Sequence, residues 1–281
     1  MTQTIGFIGS GQMGGGIAKL AVRAGYKVIL SNSREPETLE PVINALGPLS
    51  SASTPKKIAT DPEIEVIVLS VPLKCVSGLL PQLGLNNKII IDTSNYFPKS
   101  DTYITELETG ELTTSEYVAS FLDNKHSTRL VKAFNNITAV HLKIASEIND
   151  LPNQTILPIA GDDSKAKEQI SKFINDVGFK TIDIGELKQG WKTEPNTPIH
   201  SLPYFPEIPD NLSNEETIEF LKKTAGDPLS YDEVNSLLKN AENDQYIGGR
   251  VKDFPKPWAE VFVEMKTKML EAKSNNTTIL L

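Results

Sequence analysis

The chain of 281 residues has one cysteine, Cys75, only three histidines and no long apolar run. A single thiol can neither close an internal disulfide nor build a zinc cluster, so a disulfide scaffold is excluded and a structural metal is not expected. A membrane helix needs roughly 18 to 20 consecutive apolar residues, whereas Lys27, Lys74 and Lys88 sit beside the most hydrophobic stretches. Basic charge is scarce as well: 28 Lys and Arg stand against 36 Asp and Glu, a formal charge of −8. That balance leaves no footprint for a phosphate backbone, and neither nucleic acid nor a membrane is an expected partner. Met1 to Thr4 enter an apolar run at once, with neither a basic start nor a small-residue cleavage site, and the expected compartment is the cytoplasm. What remains is a globular composition, 39% hydrophobic and 23% charged with 18 glycines and 18 prolines, sufficient for one large domain with a small appendage.

Residues 4 to 9 are apolar throughout rather than alternating, as in a strand buried on both faces of a parallel sheet. Ile17, Leu20, Ala21 and Ala24 follow at helical spacing, with Gly25 as the stop, and Tyr26 to Leu30 completes a βαβ unit. Further strands are read at Leu49 to Ser53, Val66 to Val71, Lys88 to Thr93, Arg129 to Phe134, Thr155 to Ala160 and Phe179 to Ile184. Thr54-Pro55 marks a helix start, and Ser164 to Val177 is the clearest helix. The reading is an α/β fold: a doubly wound Rossmann sheet of seven or eight mostly parallel strands with a small helical C-terminal extension.

The alternation stops after Gly185, and five prolines fall between Pro195 and Pro209. No helix or central strand could hold them. The expected organisation is a dinucleotide-binding domain over 1–190, a proline-rich connector over 191–209 and a helical extension over 210–281. In the extension, Ser213 with Glu216 and Ser230 with Glu233 have capping-box spacing, and Pro257 opens a third helix with Trp258, Val261, Phe262, Met265 and Met269 on one face. That face packs on the α/β domain or forms a homodimer contact. Ser274 to Leu281 shows no periodicity and is expected to be mobile.

The first strand runs into Gly9-Ser10-Gly11-Gln12-Met13-Gly14, a G-x-G-x-x-G turn opening a helix. Gly9 allows the tight turn, Gly11 lets a pyrophosphate approach the backbone, and Gly14 lets helix and sheet pack closely. An NAD-specific site would place Asp or Glu at the end of the second strand to bond the ribose 2′-hydroxyl. Here the residues are Ser31-Asn32-Ser33-Arg34. A guanidinium and hydroxyls in place of a carboxylate suit an adenosine 2′-phosphate, and the cofactor expected is NADP(H). Val71-Pro72-Leu73 and Asp92-Thr93-Ser94-Asn95 end two further strands at the carboxyl edge of the sheet, and Val71, Pro72, Leu73 and Asn95 are expected to border the cofactor. Ala133 and Asn135, within Lys132-Ala133-Phe134-Asn135-Asn136, are candidates to lie against the nicotinamide carboxamide.

These segments, with Gly161-Asp162-Asp163 and Gly190-Trp191, resemble the NADP-binding oxidoreductases typified by F420-dependent NADP reductase, over roughly residues 4 to 206. The resemblance implies hydride exchange between the nicotinamide and a second redox ring, the deazaflavin F420 in the type enzymes, and a flavin, a quinone or a small carbonyl is also compatible as the small-molecule acceptor. Hydride passed between two rings needs alignment rather than an acid or base, and no catalytic side chain is assigned. His126, His141 and His200 fall in no triad spacing and are read as structural or solvated. No tyrosine has lysine four residues later, which excludes a short-chain dehydrogenase. Two other readings stay open. One is an NADP(H)-binding redox sensor without turnover. The other is a relative of pyrroline-5-carboxylate, imine or carbonyl reductases, for which Tyr96 and Tyr204 are the candidate acids.

Overall fold

The computed structural model describes residues 3–122, 127–147, 155–242, 248–249 and scattered positions between 256 and 267. In chain order it contains β1 (Thr4–Ile8), α1 (Gln12–Arg23), β2 (Lys27–Ser31), α2 (Glu40–Leu46), β3 (Ser50–Ala52), α3 (Pro55–Thr60), β4 (Val66–Leu69), α4 (Val76–Leu83) and β5 (Ile89–Asp92). Three short helices follow, α5 (Pro98–Asp101), α6 (Thr105–Glu108) and α7 (Thr114–Ser120), then β6 (Arg129–Lys132), α8 (Ala139–Glu147), β7 (Ile156–Gly161), α9 (Ser164–Asp176) and β8 (Lys180–Asp183). Two 3₁₀ turns, Leu187–Thr193 and Leu202–Tyr204, precede α10 (Asn214–Leu221) and α11 (Tyr231–Lys239).

The strands form one eight-stranded sheet in the order β3-β2-β1-β4-β5-β6-β7-β8. All neighbours are parallel except β6 and β7, which run antiparallel. Strand order reverses between β1 and β4, the place where doubly wound sheets leave a crevice at their carboxyl ends. Both faces are covered, which explains the unbroken apolar strands. Ile5, Phe7, Val66, Val68, Ile89 and Ile91 pack with α1, α2 and α9, whereas Ile8, Ile67, Leu69 and Ile90 pack with α3, α4 and α7. Among the described residues no helix is long and apolar enough to cross a membrane.

Local signals read from the sequence recur in place. Thr54 caps α3 with Pro55 at its first position, and both capping boxes form at Ser213 and Ser230; Asp163, for which no cap was expected, caps α9. The proline-rich segment, read as a connector, is packed into the fold: Ile199 and Tyr204 are buried in the same cluster as β1 and α1. Asn136 Nδ2 donates to the Tyr204 hydroxyl at 2.5 Å, and that hydroxyl donates to the carbonyl of Ile156 at 3.3 Å. Proline excludes regular structure without excluding burial, since a chain without amide protons leaves fewer donors to satisfy.

Most of the third helix of the extension, including Pro257, Val261, Phe262, Met265 and Met269, and all of Ser274 to Leu281 lie outside the described residues. Trp258 is described, and it is buried against Val140, Ile144 and Leu221 of the same chain. Its ring stacks on Phe205 at 3.4 Å, and Phe205 stacks in turn on His141 at 5.0 Å. His141 is 4% exposed, with Nδ1 3.1 Å from Thr138 Oγ1. Burial pushes its pKa from 6.5 down to about 4.

In this aromatic stack the folded state therefore holds His141 neutral over a range in which the unfolded chain takes up its proton. The unfolded form gains protons as pH falls below 6.5, so the contribution is complete above that value and is lost progressively toward pH 4. Urea unfolding at a series of pH values is expected to show His141 removing about 1 kcal/mol per pH unit in that window. His141→Phe flattens this part of the slope.

Candidate cofactor site at the carboxyl edge of the sheet

The turn from β1 to α1 lies against the end of β4. Ile8 is in register with Leu69, so Gly9 and Ser70 leave the sheet side by side. Gly9 has φ +103°, and a Cβ there would overlap the Ser70 carbonyl oxygen. A Cβ on Gly14 would overlap the carbonyl oxygen of Gly9, whereas one on Gly11 meets nothing within 4 Å. The first and third glycines thus serve the protein's own packing, and the second faces open space. Gly11 caps α1 without a side-chain hydrogen bond, and the helix carries no acidic residue in its first turn. Its amides and the positive end of its dipole are left for an anion. Gln12, half-buried at the head of α1, holds its Nε2 out of solvent with no partner among the described residues. A buried amide donor without an acceptor costs about 1 to 3 kcal/mol, and a ligand oxygen removes that cost. The turn fits a dinucleotide.

At the second turn the structure divides the predicted residues. Ser31 is buried, and its hydroxyl donates to the carbonyl of Phe7 at 2.9 Å. It is therefore no donor to a 2′-phosphate, a correction that follows from strand alternation, which points this side chain into the protein. Asn32 shapes the loop: its Oδ1 accepts from the Arg34 amide at 2.8 Å and its Nδ2 donates to Thr38 Oγ1 at 3.0 Å. Ser33 and Arg34 are exposed. Leu73, expected to border the cofactor, is instead buried in the core beneath α4, whereas Val71 is half-buried and Pro72 is exposed beside the turn. Ser10 is half-buried, and Met13 packs partly against the main core.

The ends of β5 and β6 carry a sealed polar network. Asp92 and Lys132 face each other in register, and each is essentially inaccessible. Asp92 accepts 2.5 Å bonds from the hydroxyls of Ser94 and Ser115. Lys132 Nζ donates to the Ser94 carbonyl at 3.1 Å and to Ser115 Oγ at 3.3 Å, and lies 3.4 Å from Glu194. Glu194 also accepts from the amide of Thr114 at 3.0 Å, which ties α7 and the 187–193 turn to the sheet. Gly190 is part of this arrangement, because a Cβ there would come within 2.7 Å of Lys132 Cδ.

Beyond Lys132 the chain turns through Phe134 at φ +61°, a conformation that costs a bulky residue about 1 to 3 kcal/mol. Ala133, expected against the nicotinamide, is instead fully buried in the core. Asn135 is saturated by the protein: its Nδ2 donates to Asn95 Oδ1 at 3.1 Å and to the Thr193 carbonyl at 2.9 Å, and its Oδ1 accepts from Thr193 Oγ1 at 3.1 Å. It positions Asn95 rather than a ligand. Asn95 is half-buried and gives one amide proton to the Asn135 carbonyl at 2.6 Å, leaving the other. Tyr96 and Tyr204 are closed off as acids. Tyr96 bonds Glu108 at 2.6 Å, and burial raises its pKa to about 12; burial raises that of Tyr204 further.

Residues 4–96 match the family model described as NADP oxidoreductase, coenzyme F420-dependent. Over those residues the chain is similar to NADP-dependent oxidoreductases. A hypothetical protein from Sinorhizobium meliloti superposes with a TM-score of 0.60 at 25% identity, covering 72% of this chain and 94% of that one. A protein from Arthrobacter sp. FB24, described as a putative F420-dependent NADP-reductase, has a TM-score of 0.51 at 20% identity, covering 65% and 84%. The Sinorhizobium protein is thus matched almost entirely, and this chain carries sequence beyond it.

In the sequence Asp92 stands in a segment expected beside the cofactor and Lys132 at a strand end, and no local motif marks Ser115, Thr193 or Glu194. The available signal was a charge at the last position of two buried strands, Ile89–Asp92 and Arg129–Lys132, which requires a partner. Removing one partner of such a pair leaves the other uncompensated. Lys132→Met is expected to lower the unfolding free energy by about 3 kcal/mol in urea titrations. In a second test of the site, Gly14→Ala lowers the melting temperature, whereas Gly11→Ala leaves it unchanged and weakens NADPH binding in calorimetry.

Proposed function

We propose that the chain uses NADP(H) to exchange hydride between the nicotinamide and a second flat redox ring of the deazaflavin or flavin class. The observation that carries the reading is the pair of turns at the switch point: Gly11 open to a pyrophosphate, followed by exposed Ser33 and Arg34 where an NAD site needs a carboxylate. The amides of α1 and Gln12 would hold the pyrophosphate, Ser33 and Arg34 the 2′-phosphate, and Asn95 the carboxamide end. The bound cofactor supplies the hydride chemistry, and the protein supplies alignment within about 3 to 3.5 Å. A ring-to-ring reading is supported over a tyrosine-assisted carbonyl or imine reductase, because both candidate tyrosines are sealed.

Isothermal calorimetry tests the cofactor assignment. Arg34→Ala is expected to weaken NADPH binding by ten- to a hundredfold, about 1.4 to 2.8 kcal/mol, with NADH affinity unaltered. Equal affinity of the unaltered chain for NADH and NADPH overturns the assignment. Turnover is followed by NADPH absorbance with oxidised F420 and riboflavin. Consumption with neither favours a binding protein over an enzyme.

A further inference from the structure

His200 lies outside every role assigned so far. It follows the proline-rich turn that crosses the carboxyl edge of the sheet, where Ser201 N donates to the Asn136 carbonyl at 2.8 Å. Its Nδ1 is 3.1 Å from the Thr193 carbonyl, the oxygen that also accepts from Asn135. A carbonyl only accepts, so Nδ1 carries the proton and the neutral ring presents the Nε2 lone pair. The ring is therefore joined through one oxygen to the Asn95–Asn135 ladder, at the edge where the nicotinamide half of a dinucleotide would lie. Unlike Lys132 and Asp92, His200 keeps partial exposure.

We infer that His200 is the proton acceptor of this site and that its substrate is a reduced heteroaromatic ring with an N–H conjugated to the C–H or N–H that gives up hydride. This rests on the function proposed above. In the step, His200 Nε2 takes the ring N–H proton and the electron pair of that bond enters the ring. The hydride leaves the neighbouring position with its own pair and forms the C4–H bond of NADPH, so the ring is oxidised, NADP⁺ is reduced, and the proton passes from His200 to solvent. The surroundings keep the base ready: desolvation and the Lys132 charge hold the His200 pKa down to about 4, with the Thr193 carbonyl opposing. Glu194 lies 3.4 Å from Lys132, and the Asp92 carboxylate belongs to the same network through Ser94 and Ser115.

The test combines binding with rate. The Cε1–H resonance of His200, assigned by its loss in His200→Gln, is followed as NADP⁺ alone is added. It is expected to shift with NADP⁺ and to stay in place with 2′,5′-ADP, which lacks the nicotinamide half. NADPH formation from dihydro-5-deazariboflavin is expected to fall about a hundredfold in His200→Ala, with the KM for NADP⁺ unchanged and the rate partly restored by added imidazole. His200→Gln, whose amide can still donate to Thr193, guards against a folding defect and is expected to be equally slow. NADP⁺ binding without a shift of the resonance, or wild-type rates in His200→Gln, overturns this inference and leaves the cofactor assignment standing. Absence of NADP⁺ binding overturns both.

Discussion

The close passage of Gly9 beneath the carbonyl of Ser70 governs the rest of the molecule. β1 and β4 are neighbours at the point where strand order reverses, so the backbone leaving β1 must turn beside the backbone leaving β4. No β-carbon fits between them. Two of the three motif glycines therefore serve the protein's own geometry, and one is left over for a ligand. The same turn aims the head of α1, with its unspent amides, into the crevice that the reversal opens.

A second constraint lies at the far side of that crevice. Lys132 and Asp92 are buried charges at adjacent strand ends, and each is stable only because hydroxyls, a carbonyl and Glu194 replace water around it. The network fixes the turn carrying Thr193 and Glu194, and Thr193 fixes both Asn135 and His200. The strained backbone at Phe134 belongs to the same arrangement, since it turns the chain from the buried Ala133 to the Asn135 amide ladder. Rigid, fully bonded groups lie beneath the site, and the less buried Asn95 and His200 border it. This is the division expected where catalysis depends on alignment.

Strand positions were legible to within one or two residues because strands covered on both faces must be apolar at every position, as Val66–Leu69 and Ile89–Asp92 are up to their last residue. Helix starts at Thr54, Ser213 and Ser230 were legible because a cap is a bond between residues three apart. The α5 to α7 region was not: its helices are short, and what holds them is a set of distant bonds, among them Thr114 to Glu194 and Ser115 to Asp92. The burial of Ile199 and Tyr204 inside a proline-rich stretch was likewise invisible, because composition reports what a segment cannot form and not what it packs against.

The sequence by itself determined the doubly wound sheet, the glycine turn and the absence of a carboxylate after β2, all of which depend on residues close together in the chain. Only the tertiary structure decided which of the named side chains remain available. Ser31 and Asn135 are spent on the carbonyls of Phe7 and Thr193, Ala133 is sealed in the core, and His200 is brought to the sheet edge from a separate segment. The physical reason is that a polar group's availability depends on what its hydrogen bonds already satisfy, and in these cases the partner lies between 7 and 58 residues away along the chain.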